Sequence, residues 1–392
     1  VARGRPRADP AGLPADDRRG ALMDFNLDEE LLAVQGLARD ILTDKAGTDR
    51  VRHVGQTENR VDEDLWHELG KAGLVGLSLA EDHGGAGLGL PALCVVLEEL
   101  GRTVAPAPLW SAAVAALTVE AHGSDEQRAA LLPGAADGST RITLALEEFD
   151  GVEPADPRTA AEPDGDGYRL TGTKAVVPSP QGADHVLVSA TTSQGPGLFL
   201  VDVHADGTAW ELTETTTRDR AGNLTLDAVA AQAVGTPGDG AVAWALDRAA
   251  VALAAVQVGV AEGALKLAAS YLSDRHQFGR PLATFQSVQH HLADCYIDID
   301  AMRVTLWQAV TSLADDAPGA GRAALVAKWW ADQAGLDVVH RVQHVHGGIG
   351  VDVDYPVHRY FLWGKQISST LGGAASALAD LGTRLAAEEV AS

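Results

Sequence analysis

Residues 344–374 read "HVHGGIGVDVDYPVHRYFLWGKQISSTLGGA", and this segment decides how the rest of the chain is interpreted. It holds two glycine pairs, Gly347–Gly348 and Gly372–Gly373, separated by a "DYP" turn and a basic, aromatic stretch. Because glycine accepts positive φ angles and lets the backbone approach a ligand closely, Gly347–Gly348 predicts a turn with exposed backbone. No Asp or Glu occurs between Tyr355 and Ala374, so this stretch offers no carboxylate that could act as a base.

The composition is that of a soluble globular protein with an acidic surface. The chain has 392 residues, with 30 Lys and Arg against 54 Asp and Glu, and its net charge is −24. This balance argues against a broad nucleic-acid surface and against docking on anionic lipid, because both require clustered positive charge. Only two cysteines occur, Cys94 and Cys295, so we expect reduced thiols in a cytoplasmic protein.

Two segments bear on targeting. The Arg- and Pro-rich residues 1–22 lack an apolar core, so we expect a disordered leader rather than a secretory signal. The most apolar run, "AAVALAAVQVGVA" from Ala249, is too short to span a bilayer. The sequence therefore predicts neither secretion nor a membrane anchor.

Hydrophobic periodicity divides the chain after the leader into three regions. Residues 23–138 have apolar residues at helical spacing, which predicts an N-terminal helical domain. Between residues 139 and 235, short β-rich runs separated by Gly, Pro and Asp predict a compact antiparallel β domain. Residues 236–392 return to helical spacing and predict a C-terminal four-helix bundle, with its last helix at about residues 356–388. The predicted fold class is α+β and multidomain.

This domain order, with "RHQFGRPLATFQSVQHHLAD" at residues 275–294 and "HVHGGIGVDVDYPVHRY" at 344–360, resembles the acyl-CoA dehydrogenase family of flavoproteins. The resemblance covers about residues 24–385. It implies FAD bound between the β domain of one subunit and the C-terminal helices of its neighbour. It further implies removal of hydrogens from Cα and Cβ of an acyl-CoA thioester, with an electron-transfer flavoprotein as acceptor.

The residues that carry the resemblance suit the ADP half of FAD. Arg275 offers a fixed fork of donors that matches a pyrophosphate. Gly279 and the pair Gly347–Gly348 leave room for backbone amides beside a phosphate. Phe278 can pack on a ring, and Gln286 can hydrogen-bond polar edges of an adenosine. The resemblance places the following residues at an FAD held mainly by the partner subunit: Arg275, Phe278, Gly279, Gln286, His344, Gly347 and Gly348.

The residues that usually hold the flavin ring in this family are absent. The family's "T-E-P-x-x-G-S-D"-like loop corresponds to "LALEEFDGVEPAD", where Leu146, Glu147 and Glu148 stand at the expected hydroxyl positions. Its Trp-x-Thr corresponds to "GTKAVVPSP", with Val176 at the Trp position and Pro178 at the Thr position. Proline also removes a backbone donor. We therefore expect no isoalloxazine site in the chain's own β domain.

The catalytic base of the family is missing as well. Its usual glutamate register falls here on Leu371, and the alternative register on the long helix falls on Ala249. The nearby acids Asp247 and Glu262 are displaced from that register, and Asp247 could serve only if the alignment shifts by two residues. Since a positioned base contributes roughly 10²–10⁴-fold in rate, its loss predicts a subunit without turnover of its own.

Other polar residues have plainer interpretations. Two sets have spacings that resemble metal ligands: His290, His291 and Asp294, and His340, His344 and His346. The first set lies on a predicted bundle face and the second lacks a carboxylate ligand, so we predict no metal site, although the second could line the FAD site. We interpret Asp352 and Asp354 as caps of the turn before Pro356, and Glu147 with Glu148 as a solvated strand end.

These observations favour one hypothesis and leave two alternatives. The leading hypothesis is a non-catalytic subunit that completes the FAD site of a related catalytic subunit. In this hypothesis, the chain resembles the subunits of actinobacterial heteromeric (α2β2) acyl-CoA dehydrogenases of steroid side-chain degradation. The first alternative is a self-sufficient homotetrameric dehydrogenase with Asp247 as an atypical base. The second is a non-catalytic scaffold that reuses the fold without flavin.

Overall fold

The computed structural model of the chain describes residues 27–391, and the expected leader at residues 1–22 lies outside them. Helices come first, strands follow, and helices return. This order confirms the predicted fold class, with an N-terminal helical domain, a middle β domain and a C-terminal helical domain. The exact domain bounds stay a prediction.

The N-terminal domain consists of short helices with side-chain caps at several of their starts. Asp28 caps the first helix by accepting a hydrogen bond from the backbone N–H of Leu31 at 2.8 Å, and Ser124 forms a capping box with Gln127 at the last. The helices of this domain are α1 (Glu29–Lys45), α2 (Thr48–Val54), α3 (Glu63–Lys71), α4 (Gly89–Thr103), α5 (Leu109–His122) and α6 (Asp125–Asp137).

The middle domain is a single sheet that curls into a ring. Its strands are β1 (Ile142–Ala145), β2 (Ala160–Asp164), β3 (Gly167–Pro178), β4 (His185–Thr192), β5 (Gly195–Asp202), β6 (Thr208–Glu214) and β7 (Arg220–Val234). Pairings β4–β5, β5–β7, β7–β3, β3–β2 and β2–β4 close the ring, while β1 adds to β4 and β6 adds to β7. The sheet is mainly antiparallel, as predicted. However, β1 and β2 run parallel to β4, because the connections that lead into β4 cross over the sheet.

The C-terminal domain continues from a long buried helix. Its helices are α7 (Ala241–Asp274), α8 (Gln286–Ala314), α9 (Ala320–His346), α10 (Val357–Ile367) and α11 (Gly373–Ala391), and a short hairpin of β8 (His276–Gln277) and β9 (Arg280–Pro281) joins α7 to α8. Helix α7 crosses α4 so closely that a Cβ added at Gly101 or Gly259 would meet the backbone of the other helix. The two helical domains therefore share one apolar core.

Helix α7 corrects one expectation. It is 34 residues long and, alone among the described helices, is long and apolar enough to cross a bilayer by length and composition. The expectation that its apolar run is too short is therefore wrong, because helical turns extend the run on both sides. In its most apolar window, 78% of the residues are buried inside the protein, as in the core helix of a globular domain.

The last predicted helix, at residues 356–388, is also wrong in one respect. It is interrupted between α10 and α11, where Leu371 adopts a left-handed conformation with φ of 57° and ψ of 44°. The next two residues, Gly372 and Gly373, also have positive φ angles. Side-chain periodicity continues across this break, so only the backbone conformation reveals it. The break turns residues 368–372 toward the β domain.

Candidate functional site

A cleft between the three domains gathers the positions at which the flavin-ring residues and the base were expected. Together with its open mouth it encloses about 840 Å³. Its lining includes Trp110 of α5, Glu147 after β1, and Val176 and Pro178 of β3. Leu371 closes the inner end beside the same four residues. We refer to Trp110, Glu147, Val176, Pro178 and Leu371 as the ring cleft.

The β3 side of the ring cleft offers a flavin neither an indole nor a hydroxyl group. Val176 stands at a positive φ of 51° in an irregular part of the strand. Its backbone N–H already donates to the side-chain oxygen of Asn223 at 3.2 Å. Pro178 has no backbone N–H, and its carbonyl accepts from the Thr143 hydroxyl at 2.6 Å. At these two positions, the backbone N–H groups that could have bound flavin carbonyls are therefore already hydrogen-bonded or absent.

Glu147 brings a carboxylate to the lining of this cleft, beside Trp110, Val176, Pro178 and Leu371. Among the described residues it has no ion-pair partner. Burial raises its pKa, while the backbone N–H of Leu371 and the charge of Lys328 oppose the rise in part. A carboxyl group in such surroundings is typical of a functional or specifically positioned residue.

Glu148 has a different role from its neighbour. Its carboxylate accepts from the Lys174 ammonium at 2.7 Å and from the Thr159 hydroxyl at 2.7 Å, and the Lys174 side chain is 0% exposed. Burial lowers the pKa of Lys174 to about 8 against the opposing effect of Glu148. The interpretation of Glu147 and Glu148 as a solvated strand end is thus wrong, because the curled sheet covers one and the cleft encloses the other.

The acids considered as an alternative base lie elsewhere. Asp247 pairs with Arg384 of α11 at 3.0 Å, and Glu262 pairs with Arg102 and with Arg303. Neither acid lines the ring cleft. Leu371 and Ala249, which occupy the two family registers, have aliphatic side chains that cannot accept a proton.

Sequence reasoning missed several residues of the cleft. Asp219 lines its mouth and accepts a hydrogen bond from the Thr217 hydroxyl at 2.9 Å. Burial raises the pKa of Asp219 to about 6 against that hydrogen bond. Arg60 crosses to the β domain and pairs with Glu214 at 2.9 Å. No motif marks these positions, although Trp363 could have been noticed in the aromatic stretch before Leu371.

The residues expected at the ADP half of FAD lie on a different surface. Arg275 ends α7, and the side chain of Phe278 at the tip of the following hairpin is 90% exposed. Its neighbour Gly279 has a φ of 79° and no atom near an added Cβ. Within the described part of the chain, Arg275 has no carboxylate at ion-pair distance. Gln286 is exposed at the first position of α8. These residues present donors and a free aromatic ring to solvent.

The end of α9 completes this surface. The His344 ring lies 5.8 Å from the His291 ring of α8, measured between centroids, which brings the two helices together at this end of the bundle. Gly347 ends α9 with φ of 63° and ψ of −140°, and a Cβ at Gly347 or Gly348 would meet no atom within 4 Å. The backbone here is open to a ligand from outside the subunit. We refer to Arg275, Phe278, Gly279, Gln286, His344 and Gly347–Gly348 as the donor face.

The three histidines of the second set do not lie together: His346 is buried, while His340 and His344 are exposed at separate positions of α9. His346 is buried and stacks on Tyr271 with ring centroids 4.9 Å apart. His340 packs edge-on against Phe361 at 4.8 Å. Only His344 remains exposed on the donor face. Across residues 27–391, no group of three or more His, Cys, Asp or Glu could hold a metal ion.

The FAD that the resemblance implies can be tested against both surfaces. The donor face fits the ADP half, because it combines the Arg275 guanidinium, an exposed ring and open backbone at two glycines. The ring cleft does not fit the isoalloxazine, because the two β3 positions, Val176 and Pro178, offer no free backbone donor and a carboxylate lines the cleft. None of the donor-face residues lines the ring cleft. The two half-sites therefore lie on different surfaces of the chain.

Comparison with known proteins identifies the family of the chain. Residues 28–139 match the N-terminal domain of acyl-CoA dehydrogenases, and residues 237–384 match the C-terminal domain. The acyl-CoA dehydrogenase FadE27 of Mycobacterium tuberculosis is 36% identical over 373 residues, which cover 93% of this chain and 99% of FadE27.

Two solved structures are similar over the same extent. A chain of a variant of the Tcur3481-Tcur3483 steroid ACAD is 65% identical with a TM-score of 0.90, and 93% of this chain and 99% of that chain are covered. A chain of the ChsE4-ChsE5 complex from Mycobacterium tuberculosis is 36% identical with a TM-score of 0.88 and the same coverage. The chain belongs to the acyl-CoA dehydrogenase family, whose members are flavoprotein oxidoreductases of lipid metabolism.

Proposed function

We propose that this chain is the non-catalytic subunit of a heteromeric acyl-CoA dehydrogenase and completes the FAD site of a related catalytic subunit. The observation that carries the proposal is the separation of the two half-sites. The donor face is open and keeps the residues that bind the ADP half, while the ring cleft has lost those that bind the ring. A homomer of such chains would have no complete flavin site.

The donor face has a defined part in this assembly. The guanidinium of Arg275 binds the pyrophosphate with paired hydrogen bonds, and the open backbone at Gly347–Gly348 donates to the same group. Phe278 packs against the partner's side of the site, and Gln286 and His344 bind polar edges of the adenosine. When bound, FAD supplies the acceptor for the hydride removed from Cβ of the acyl-CoA thioester.

In this proposal, the base that removes the proton from Cα of the substrate does not belong to this chain. Leu371 and Ala249 have no group that takes a proton from Cα, and Asp247 is committed to Arg384 away from the ring cleft. The catalytic subunit must therefore contribute the carboxylate that acts as base. This chain positions the cofactor and leaves the chemistry to its partner.

The partner is a related acyl-CoA dehydrogenase chain, in an α2β2 assembly. Support comes from the relatives, since the Tcur3481-Tcur3483 steroid ACAD and the ChsE4-ChsE5 complex each carry two different chain names. By the same likeness the substrate is the CoA thioester of a steroid side chain, and the electron acceptor is an electron-transfer flavoprotein. With its two free, buried cysteines the chain fits a cytoplasmic location.

The experiment is to purify the chain alone and after co-expression with its related partner, and to compare flavin absorbance with protein concentration. The proposal predicts no flavin in the isolated chain and about one flavin per pair of different chains. One flavin per chain in the isolated protein would overturn it, and no flavin in any pairing would favour the scaffold alternative. The structure supports neither alternative, because Asp247 lies outside the ring cleft and the donor face is intact.

A further inference from the structure

We infer that Glu147 is the residue that excludes a flavin ring from this chain's own cleft, by placing its carboxylate among the residues that line the cleft, beside Leu371. The inference rests on the proposed function, since it explains why one of the two β domains in each pair would hold no ring. According to this inference, the Glu147 side chain obstructs the flavin ring. This obstruction adds to the loss of favourable contacts at Val176 and Pro178.

The backbone of Glu147 is fixed from both sides, and this fixes the direction of its side chain. Its carbonyl accepts a hydrogen bond from the Ala175 N–H of β3 at 2.9 Å. The next residue, Glu148, accepts from the backbone N–H groups of Arg158 and Thr159 at 2.8 and 3.0 Å, as well as from Lys174. The loop after β1 is thus clamped, and Glu147 has little freedom to leave the cleft.

Leu371 lines the same part of the cleft as Glu147. It adopts a left-handed conformation at the break between α10 and α11, an unfavourable one for a residue with a Cβ. At this break Leu371 lies in the cleft lining together with Glu147, so both residues occupy the region that the family uses for the flavin ring.

Position and chemistry both oppose a flavin at this point. Glu147 lines the cleft beside Trp110, Leu144, Ala175 and Val176. The polar edge of an isoalloxazine carries carbonyl acceptors, which a carboxylate does not satisfy. Val176 is smaller than the family's Trp, and Pro178 lacks the hydroxyl group of the family's Thr. These two replacements therefore weaken flavin binding without filling the cleft. Glu147 is the obstruction among these replacements.

Lumiflavin, the isolated ring without the ADP half, provides the direct test. It is titrated into the full-length wild-type chain and the Glu147→Thr variant, with quenching of its fluorescence as the readout. Glu162→Thr, on the exposed face of β2, is the matched control. We expect Glu147→Thr to bind lumiflavin at least tenfold more tightly than the wild type and Glu162→Thr to bind like the wild type. Equal affinity of all three folded proteins overturns the inference.

A second comparison covers the case in which the single variant is poorly folded. Val176→Trp with Pro178→Thr restores the family residues on β3, and a triple variant adds Glu147→Thr. Each is co-expressed with the catalytic subunit. We expect the double variant to keep about one flavin per pair and the triple variant to approach two. A double variant that reaches two by itself, or a folded triple variant that stays at one, contradicts the role of Glu147. The wild-type ratio tests the proposed function separately.

Discussion

Glu147 of the β domain and Leu371 of the break between α10 and α11 line the same cleft, together with Trp110, Val176 and Pro178. In the family, these two positions belong to the flavin-ring loop and to the catalytic base. The cleft that would hold the flavin ring in a complete subunit is therefore lined by an acidic and an aliphatic residue of this chain, while the donor face lies open on a different surface.

The pH dependence of stability should report the state of Glu147. Burial raises its pKa in the folded state above the ordinary value of 4.5. At a pH between the pKa of Glu147 in the unfolded chain and its higher pKa in the folded chain, the folded chain keeps a proton that the unfolded chain has released. The free energy of unfolding therefore falls as pH rises through this window, by about 1.4 kcal/mol for each pH unit that the window spans.

Glu147→Gln removes this contribution to the pH dependence. Urea unfolding from pH 4 to pH 8 should show a smaller fall in the free energy of unfolding for the variant than for the wild type. Parallel curves for the two proteins would contradict the burial of this carboxyl group.

Gly348→Ala should separate folding from flavin binding. A methyl group at this position meets no atom of the chain within 4 Å, so the free energy of unfolding should change by no more than about 0.5 kcal/mol. The same methyl group occupies the space through which a phosphate reaches the backbone amides. We expect FAD affinity of the co-purified pair to fall about tenfold or more, which corresponds to about 1.4 kcal/mol.

Gly347→Ala is the contrasting variant. Gly347 has φ of 63° and ψ of −140°, a conformation that residues with a Cβ rarely adopt, so this change should lower stability as well as FAD affinity. Unchanged FAD affinity in a folded Gly348→Ala pair would remove the end of α9 from the donor face.

Arg275→Lys should weaken the cofactor site of the pair. Lysine keeps the charge and loses the paired hydrogen bonds of the guanidinium, and a charged hydrogen bond contributes about 1.5–3 kcal/mol, so FAD affinity should fall about tenfold. Reconstitution of the flavin-free pair with FAD measures this directly. Arg158→Lys, at an exposed position of the β domain, is the control and should bind FAD like the wild type. Equal affinities for both variants would show that Arg275 does not contact the cofactor.

Asp247→Asn should leave turnover of the pair within about twofold, since its carboxylate pairs with Arg384 and lies outside the ring cleft. Stability should fall slightly, by about 1 kcal/mol or less, through loss of a partly exposed ion pair. Steady-state turnover with an acyl-CoA substrate is the measurement. A loss approaching the 10²–10⁴-fold contribution of a positioned base would instead identify Asp247 as that base.

All donor-face residues were identified from the sequence, but only some of the ring-cleft residues were. Arg275, Phe278 and the Gly347–Gly348 pair could be predicted because each has a local signature, a turn or a helix end, that needs no tertiary information. The burial of Glu147 could not be predicted, because it depends on the break at Leu371, more than 200 residues away in the sequence. That break follows from backbone conformation, while the side-chain periodicity runs through it unchanged.

The same limit applies to the acids. Glu148 and Lys174 sit on segments that read separately as a strand end and a strand, and only the curled sheet brings them to 2.7 Å. Asp247 and Arg384 are likewise joined only by the packing of α7 against α11. Ion pairs between distant segments decide which carboxylates are paired and which are not. Hydrophobic periodicity carries no information about these ion pairs.

Native mass spectrometry of the co-purified assembly tests the central claim most directly, because it counts flavins and chains in the same particle. The account predicts an α2β2 tetramer with two FAD molecules, both lost when Arg275 of this chain is replaced by Ala and the tetramer remains assembled. Four FAD molecules in the wild-type tetramer, or two that are retained with full affinity in the Arg275→Ala assembly, would contradict it.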